Sequence, residues 1–303
     1  MAFLKIIPKR LDPFIRLARL DKPIGTWLLL LPTWWGLVIG AKLEAGGGIV
    51  DSPQLFLWMV LAVIGAFLLR GAGCTINDMV DVDYDRKVER TKDRPLASGA
   101  ITQIQALFFL MLQLLLGLMI LLLFPFEAWI VGALSLPLIL LYPFMKRITW
   151  YPQAMLGIVF NWGIWIGFVS FVGFHQDLNL WLGALMFYGA GFMWTMGYDT
   201  IYAHQDKKDD QYVGVKSTAL KFGDHSRLWI ALFYCLMIVF LYLGGRFIGI
   251  DKILWQLSLV LAAILLLIQI LNIRFNDPQN CLYFFKFNQW VGLIIALGLL
   301  SSV

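Results

Sequence analysis

Charge is what this chain has least of. Only 14% of its 303 residues are Asp, Glu, Lys or Arg, while 60% are hydrophobic. Soluble domains carry about 25% charge, and so little polarity cannot cover a water-facing surface. The composition therefore excludes a soluble globular protein and points to a polytopic membrane protein. Cysteine is also scarce. Cys74, Cys235 and Cys281 show neither metal-ligand spacing nor a disulfide framework, and read as small apolar fillers. The three histidines, His175, His204 and His225, have no ligand spacing either, and His204 reads as structural although it lies near an acidic stripe. Strict apolar–polar alternation is missing, so the spans are expected to be helices. No cleavable signal is evident. The net charge of +5 does not indicate a nucleic-acid partner; in a membrane protein it reflects basic loops on one side.

What is present is a succession of apolar runs. Nine are long enough to cross a bilayer, at about 24–41, 53–76, 101–124, 127–145, 152–174, 178–203, 228–249, 252–273 and 282–302. The connections alternate in character. All basic residues except Lys42, Arg70, Arg246 and Lys252 fall in 1–22, 77–100, 146–151, 204–227 and 274–286. The positive-inside rule makes that side cytoplasmic, together with the N-terminus, and puts the C-terminus on the far side. No linker or composition shift divides the chain, so residues 1–303 read as one domain. Residues 1–22 carry Lys5, Lys9, Arg10, Arg16, Arg19 and Lys22, with Phe14, Leu17 and Ala18 on one helical face. That pattern fits a basic interfacial segment lying on an anionic membrane surface.

The most charged stretch follows the second run, NDMVDVDYDRKVERTKDRPLASG from Asn77 to Gly99. On a continuous helix, Asn77, Asp81 and Asp85 share a face. Oxygen donors one turn apart suit a hard cation. Arg86, Lys87, Arg90, Lys92 and Arg94 come next. Acid followed by base suits a metal–phosphate site, with carboxylates for the cation and guanidinium forks for phosphate oxygens. The alternative is a solvated loop whose opposite charges screen one another.

A second cluster ends the sixth run. Asp199, Asp206 and Asp210 fall within roughly 40° of one another on a helix. Two acidic stripes on one side of a membrane protein point to half-sites that face each other across shared divalent ions. Mg²⁺ fits best, because it takes oxygen ligands and keeps coordination positions for water and phosphate. The two clusters form a pseudo-repeat without a strict period.

Arg70 lies about 10 Å deeper than Asn77 on the same helical face. An arginine inside a span is a functional candidate, with a substrate carboxylate, a phosphate or an aspartate as its partner; the alternative is snorkelling. Lys146 and Arg147 follow Tyr142-Pro143, either to meet a diphosphate or as positive-inside anchors, and Arg147 reads as the anchor. Lys216 and Lys221 either cover a diphosphate or hold their loop at the headgroups. Asp21 reads as a helix cap. Asn161, beside Gly157, Gly163 and Gly167, reads as a helix–helix hydrogen bond where glycines allow close approach.

These strings resemble one family. RLDKPIGTWLLLLPTWWGL, GAGCTINDMVDVDYDRKVERTKDRPLASG, YPFMKRITWYPQ, and GYDTIYAHQDKKDD with GVKST after it are similar to the membrane-intrinsic aromatic prenyltransferases of the UbiA type, especially those that prenylate 4-hydroxybenzoate. The pattern NDxxDxxxD is matched at Asn77, Asp78, Asp81 and Asp85. YDxxYAxxDxxDD is matched at Tyr198, Asp199, Tyr202, Ala203, Asp206, Asp209 and Asp210.

The resemblance implies an all-α fold of nine transmembrane helices around a central cavity, cytoplasmic cap loops, and a side opening to lipid for an isoprenoid tail. It implies polyprenyl diphosphate and 4-hydroxybenzoate as substrates. Mg²⁺ would be held by Asn77, Asp81, Asp85, Asp199, Asp206 and Asp210, with Arg90, Arg94 and Lys146 on the diphosphate and Arg70 on the benzoate. The expected location is a bacterial inner (cytoplasmic) membrane, in contact with its lipid. The alternatives are another acceptor on the same fold (a naphthoate, a haem or a chlorin) or an ion-coupled transporter, which would keep its site near the midplane and not at one face.

Overall fold

The computed structural model describes residue 8 and residues 10–46 and 53–302. Lys5, Lys9, most of the 42–52 connection and Val303 lie outside the described residues. The elements are helical throughout the described chain: α1 Asp12–Leu17, α2 Ile24–Glu44, α3 Pro53–Val80, α4 Val82–Asp85, α5 Gln103–Leu121, α6 Phe126–Leu141, α7 Met145–Ile148, α8 Pro152–Phe160, α9 Gly163–Val172, α10 Leu178–Ala203, α11 Lys207–Val213, α12 Thr218–Phe222, α13 Ser226–Ile248, α14 Ile253–Asn272 and α15 Pro278–Leu300.

Local chemistry sets several of the starts. Thr102 and Gln105 form a capping box that opens α5. Asp277 accepts from the Gln279 and Asn280 amides, and Pro278 fills the first turn of α15.

Among the described residues, eight helical segments are long and apolar enough to cross a membrane. The ninth expected span corresponds to α10, 26 residues long and so about 39 Å, which does not meet that measure of apolarity. The reason is its position. Its flanks are covered by protein, with Ala184, Phe187, Ala190, Trp194 and Ile201 wholly buried, so its faces need not be lipid-soluble. It runs antiparallel to α13 through the bundle: a Cβ on Gly183 would touch Ile248 at one end, and His204 meets Ser226 at the other.

The expected fifth span is also interrupted, between α8 and α9. Asn161 bonds the Gly157 carbonyl at 2.8 Å and Thr195 on α10 at 2.9 Å, the interhelical role expected of it.

Glycines set the tightest crossing. A Cβ on Gly36 or Gly167 would strike the backbone of the facing helix, and one on Gly163 would strike Thr33. The backbones of α2 and α9 are thus in direct contact. A buried polar cluster joins α10, α13, α14 and α15. Trp194 donates to Asn288 at 2.8 Å, Asn288 to Gln269 at 3.4 Å, and Tyr234 also donates to Gln269. Each member finds a partner, as burial requires.

The long helices alternate in direction, so the ends of α3, α6 and α10 and the starts of α5, α8, α13 and α15 meet at one end of the bundle. The contacts there include Gln103 with the Met79 carbonyl, Arg227 with the Ile273 carbonyl, and the Lys216 amide with the Lys146 carbonyl. The opposite end holds Lys42 against the Ser302 carbonyl at 2.9 Å.

The segment carrying α1 uses its apolar face on protein. Leu17 is fully buried with Leu96, Ile101 and Ala106, and Phe14 packs on Phe109 at 5.2 Å. The face expected to rest on lipid therefore packs between α5 and the loop after α4.

Candidate active site

Neither acidic motif lies on one continuous helix. α3 ends at Val80, and Asp81 begins α4 with φ −103° and ψ 8°. α10 ends at Ala203, and Asp206 begins α11 with φ −106° and ψ 9°. The same break occurs at both motifs. Backbone bonds carry the one-turn spacing across it, from the Asp81 amide to the Asn77 carbonyl at 3.0 Å and from the Asp85 amide to Asp81 at 2.8 Å. The Asp210 amide reaches Asp206 at 2.8 Å in the same way. Asp81, Asp85, Asp206 and Asp210 thus lie at the rim, while Asn77 and Asp199 line the cavity below.

Nearly every rim carboxylate is held by a base. Asp81, fully buried, takes Lys146 and, at 3.1 Å, Arg147. Arg147 also lies 4.9 Å over the Tyr84 ring. It is therefore part of the site, not the anchor expected. Asp85 pairs with Arg94 at 2.9 Å, and burial pushes its carboxyl up despite that guanidinium. Asp206 is gripped by both arms of Arg90, whose other nitrogen donates to the Tyr202 hydroxyl at 3.2 Å. Since Arg90 belongs to the first basic loop and Asp206 to the second motif, this pair brings the half-sites together. Asp210 has no ion pair among the described residues, and burial with the Asp206 charge pushes it up to about 7.

Asp78, to which sequence reasoning gave no separate role, is a hub. Both its oxygens accept from Arg19 at 2.8 Å, and Arg94 donates to it at 3.0 Å. Arg19 has φ +57°, the single non-glycine residue with positive φ among those described. Such a conformation persists where surrounding contacts hold it. The membership of Asp78 in the NDxxDxxxD string was the available signal, and Arg19 opens the RLDKPIGTWLLLLPTWWGL string, although nothing in either string paired the two. Lys216 braces its loop against the Ile148 carbonyl at 3.0 Å. Asp21 caps nothing, since α2 has no side-chain cap.

Beneath the rim lies a cavity of about 1060 Å³. Arg70 lines it, with its Nε buried and unbonded. Among the described residues Arg70 makes no hydrogen bond or ion pair; its guanidinium sits 5.4 Å from the Phe160 ring and against Gly25, where a Cβ would collide with it. A guanidinium fork that faces a cavity with its Nε unbonded is suited to bind an anion there.

Among the described residues, no group of three or more His, Cys, Asp or Glu side chains is arranged to hold an ion by itself. Mg²⁺ is typically held by one or two carboxylates and completes its shell with water and phosphate oxygens, so it does not require such a group. The donors at the rim are all oxygens, and Asp210 has no direct ion pair among the described residues, although the charges of Lys146 and Arg90 act on it.

Apolar helices enclosing a largely apolar cavity, with a mouth of paired carboxylates and bases, define an integral membrane protein. Within that class the chain belongs to the UbiA prenyltransferase family, which it matches over residues 29–292. It is 46% identical over 294 residues to the mitochondrial 4-hydroxybenzoate polyprenyltransferase of Arabidopsis thaliana, covering 96% of this chain and 69% of that protein. Its fold is similar to the apo structure of a UbiA homolog from Aeropyrum pernix K1, with TM-score 0.74 and 24% identity over 92% of this chain and 98% of that one. It is also similar to a UbiA homolog from Archaeoglobus fulgidus bound to DMAPP and Mg²⁺, with TM-score 0.70 and 18% identity over 96% and 99% of the two chains.

Proposed function

We propose that this protein transfers a polyprenyl group from a polyprenyl diphosphate to the carbon ortho to the hydroxyl of 4-hydroxybenzoate. The products are 3-polyprenyl-4-hydroxybenzoate and diphosphate, as in ubiquinone biosynthesis. One observation carries the choice of acceptor. The Arg70 guanidinium, which makes no hydrogen bond or ion pair among the described residues and faces a largely apolar cavity, asks for a small carboxylate. The identity to a 4-hydroxybenzoate polyprenyltransferase agrees. A transporter is disfavoured, because the acidic residues gather at one end of the bundle and not at mid-depth.

In this reading Asn77, Asp81, Asp85, Asp199, Asp206 and Asp210 hold Mg²⁺, and the Archaeoglobus homolog bound to DMAPP and Mg²⁺ supports that ligand class. When bound, the ion supplies positive charge against the diphosphate oxygens. Lys146, Arg90 and Arg94, which hold Asp81, Asp206 and Asp85, turn toward the diphosphate and share the charge that develops as the allylic C–O bond breaks. The apolar wall keeps water from the allylic carbon. Arg70 grips the benzoate carboxylate and aims the carbon ortho to the hydroxyl at it. The ring proton then leaves to an aspartate or to the departing diphosphate, and aromaticity returns.

The basic loops and the site face the cytoplasm of a bacterial inner membrane, with the C-terminus on the far side, because the positive charge lies at the site-bearing end. The test uses purified protein in lipid nanodiscs with geranyl diphosphate, Mg²⁺ and 4-hydroxybenzoate, and mass spectrometry of the products. Prenylated 4-hydroxybenzoate is expected. Its absence, with prenylation of another aromatic ring instead, would overturn the acceptor.

A further inference from the structure

Arg94 holds the rim with one corner of its guanidinium. Its Nη1 donates to Asp78 at 3.0 Å and to the two oxygens of Asp85 at 3.0 and 2.9 Å. Its Nε and Nη2 make no hydrogen bond among the described residues, and the side chain lines the cavity. A guanidinium presents five N–H donors in a planar fork, so one edge of Arg94 stays open. Arg90 differs. Its Nε and Nη2 are both on Asp206, and its Nη1 is on the Tyr202 hydroxyl. Of the two arginines assigned to the diphosphate, Arg94 is the one that can meet phosphate oxygens without releasing its carboxylates.

The direction of that edge is set from outside both acidic motifs. Asp78 is 1% exposed, and its other partner is Arg19, whose Nη2 bridges its two oxygens at 2.8 Å. Arg19 is fixed in turn. Its Nη1 donates to the Arg16 carbonyl at 2.6 Å, and its φ of +57° is a conformation that surrounding contacts must hold. Arg16 donates to the carbonyl of Asp93, the residue before Arg94, at 2.6 Å. Leu17 is buried with Leu96. The turn from Arg16 to Arg19 therefore grips the loop around Arg94 by its backbone, by an apolar side chain and, through Asp78, by the guanidinium itself.

The charges explain why a second arginine is needed. Asp78 and Asp85 are two buried carboxylates, and Arg19 and Arg94 are their two guanidinium partners. Without Arg19, both carboxylates would depend on Arg94, because a buried charge left without a partner is costly. Asp78 would then draw a second nitrogen of Arg94, and the open edge would close.

We propose that Arg19 is a positioning residue for prenyl transfer, which through Asp78 keeps the Nε–Nη2 edge of Arg94 free for the diphosphate. The inference rests on the function proposed above. The full chain in nanodiscs is assayed with geranyl diphosphate, 4-hydroxybenzoate and Mg²⁺, below the unfolding midpoint of every variant. Arg19→Gln should raise KM for geranyl diphosphate about tenfold, an effect of the size seen between coupled neighbours, and leave KM for 4-hydroxybenzoate unchanged. The route through Arg94 is read in two further backgrounds. Added to Arg94→Gln, Arg19→Gln should change kcat/KM for the donor less than about twofold, because the edge it protects is gone. Added to Arg90→Gln, it should still cost about tenfold.

A tenfold loss in both backgrounds would overturn the proposal, since Arg19 would then act on the donor directly or on the fold alone. An unchanged donor KM in Arg19→Gln would overturn it as well. If Arg19→Gln does not accumulate in membranes, Asp78→Asn, which keeps the side-chain shape, is carried through the same two backgrounds and decides. A wild-type protein that prenylates no acceptor from geranyl diphosphate would instead sink the function itself, and the role of Arg19 with it.

Discussion

Removing the Arg70 guanidinium tests the acceptor assignment most directly. The group faces the cavity without an ion pair or hydrogen bond among the described residues, so its worth to the reaction is its grip on the incoming carboxylate. A hydrogen bond to a charged group contributes about 1.5–3 kcal/mol. Taking about 3 kcal/mol for the fork, Arg70→Ala should lower kcat/KM for 4-hydroxybenzoate about 150-fold. Arg70→Lys keeps the charge but loses the planar fork, and should lose about tenfold. Methyl 4-hydroxybenzoate carries no carboxylate, so wild type and Arg70→Ala should use it equally well. Stability should move the other way. The Arg70 Nε is buried with no hydrogen-bond partner among the described residues, a burden on the fold, so Arg70→Met should raise the thermal midpoint in detergent. Steady-state kinetics with each acceptor, at saturating geranyl diphosphate and Mg²⁺, measures the first three effects. An equal loss with the acid and the ester would refute the reasoning, as would a rise in KM for the donor alone.

Four further outcomes follow from the same geometry. Asp81→Ala or Asp206→Ala should each reduce turnover about 100- to 1000-fold, read as diphosphate release; near-wild-type rates in both would remove the rim carboxylates from the chemistry. Chelation with EDTA should stop turnover and added Mg²⁺ should restore it, with the helical circular dichroism signal unchanged throughout. Gly36→Val pushes a side chain into the Ile164 backbone and should destabilise the α2–α9 crossing by about 3 kcal/mol, seen as a lower unfolding midpoint. Arg19→Ala leaves buried Asp78 with Arg94 as its remaining partner and should cost about 2 kcal/mol; an unchanged midpoint would show that the pair does not hold the N-terminal turn.

Much of this protein was legible before any coordinates. The spans were readable because hydropathy is a property of contiguous residues, and a helix satisfies its own backbone in lipid. Asn161 was assigned to a helix contact, and Gly163 and Gly167 to close approach, from their neighbours alone, and the structure has them so. The two acidic strings were enough for the family, because their spacing is local.

What the tertiary structure decided depends on residues distant in sequence. Helical spacing treated each acidic motif as one stripe, yet the helix breaks in both motifs at the aspartate that caps the next helix, Asp81 and Asp206. Arg147 looked like an anchor until Asp81, from another helix, turned out to be its partner. Arg19 looked like a surface charge until Asp78 drew it inward. Conversely, that Arg70 makes no hydrogen bond or ion pair among the described residues could be known only once the nearby side chains were placed. The packing of Phe124, Trp58 and Phe171, from three separate segments, is likewise invisible in a linear string. Sequence determines which groups are apolar, charged or turn-forming over a few residues, whereas which of them pair and which stack is a property of the packed bundle.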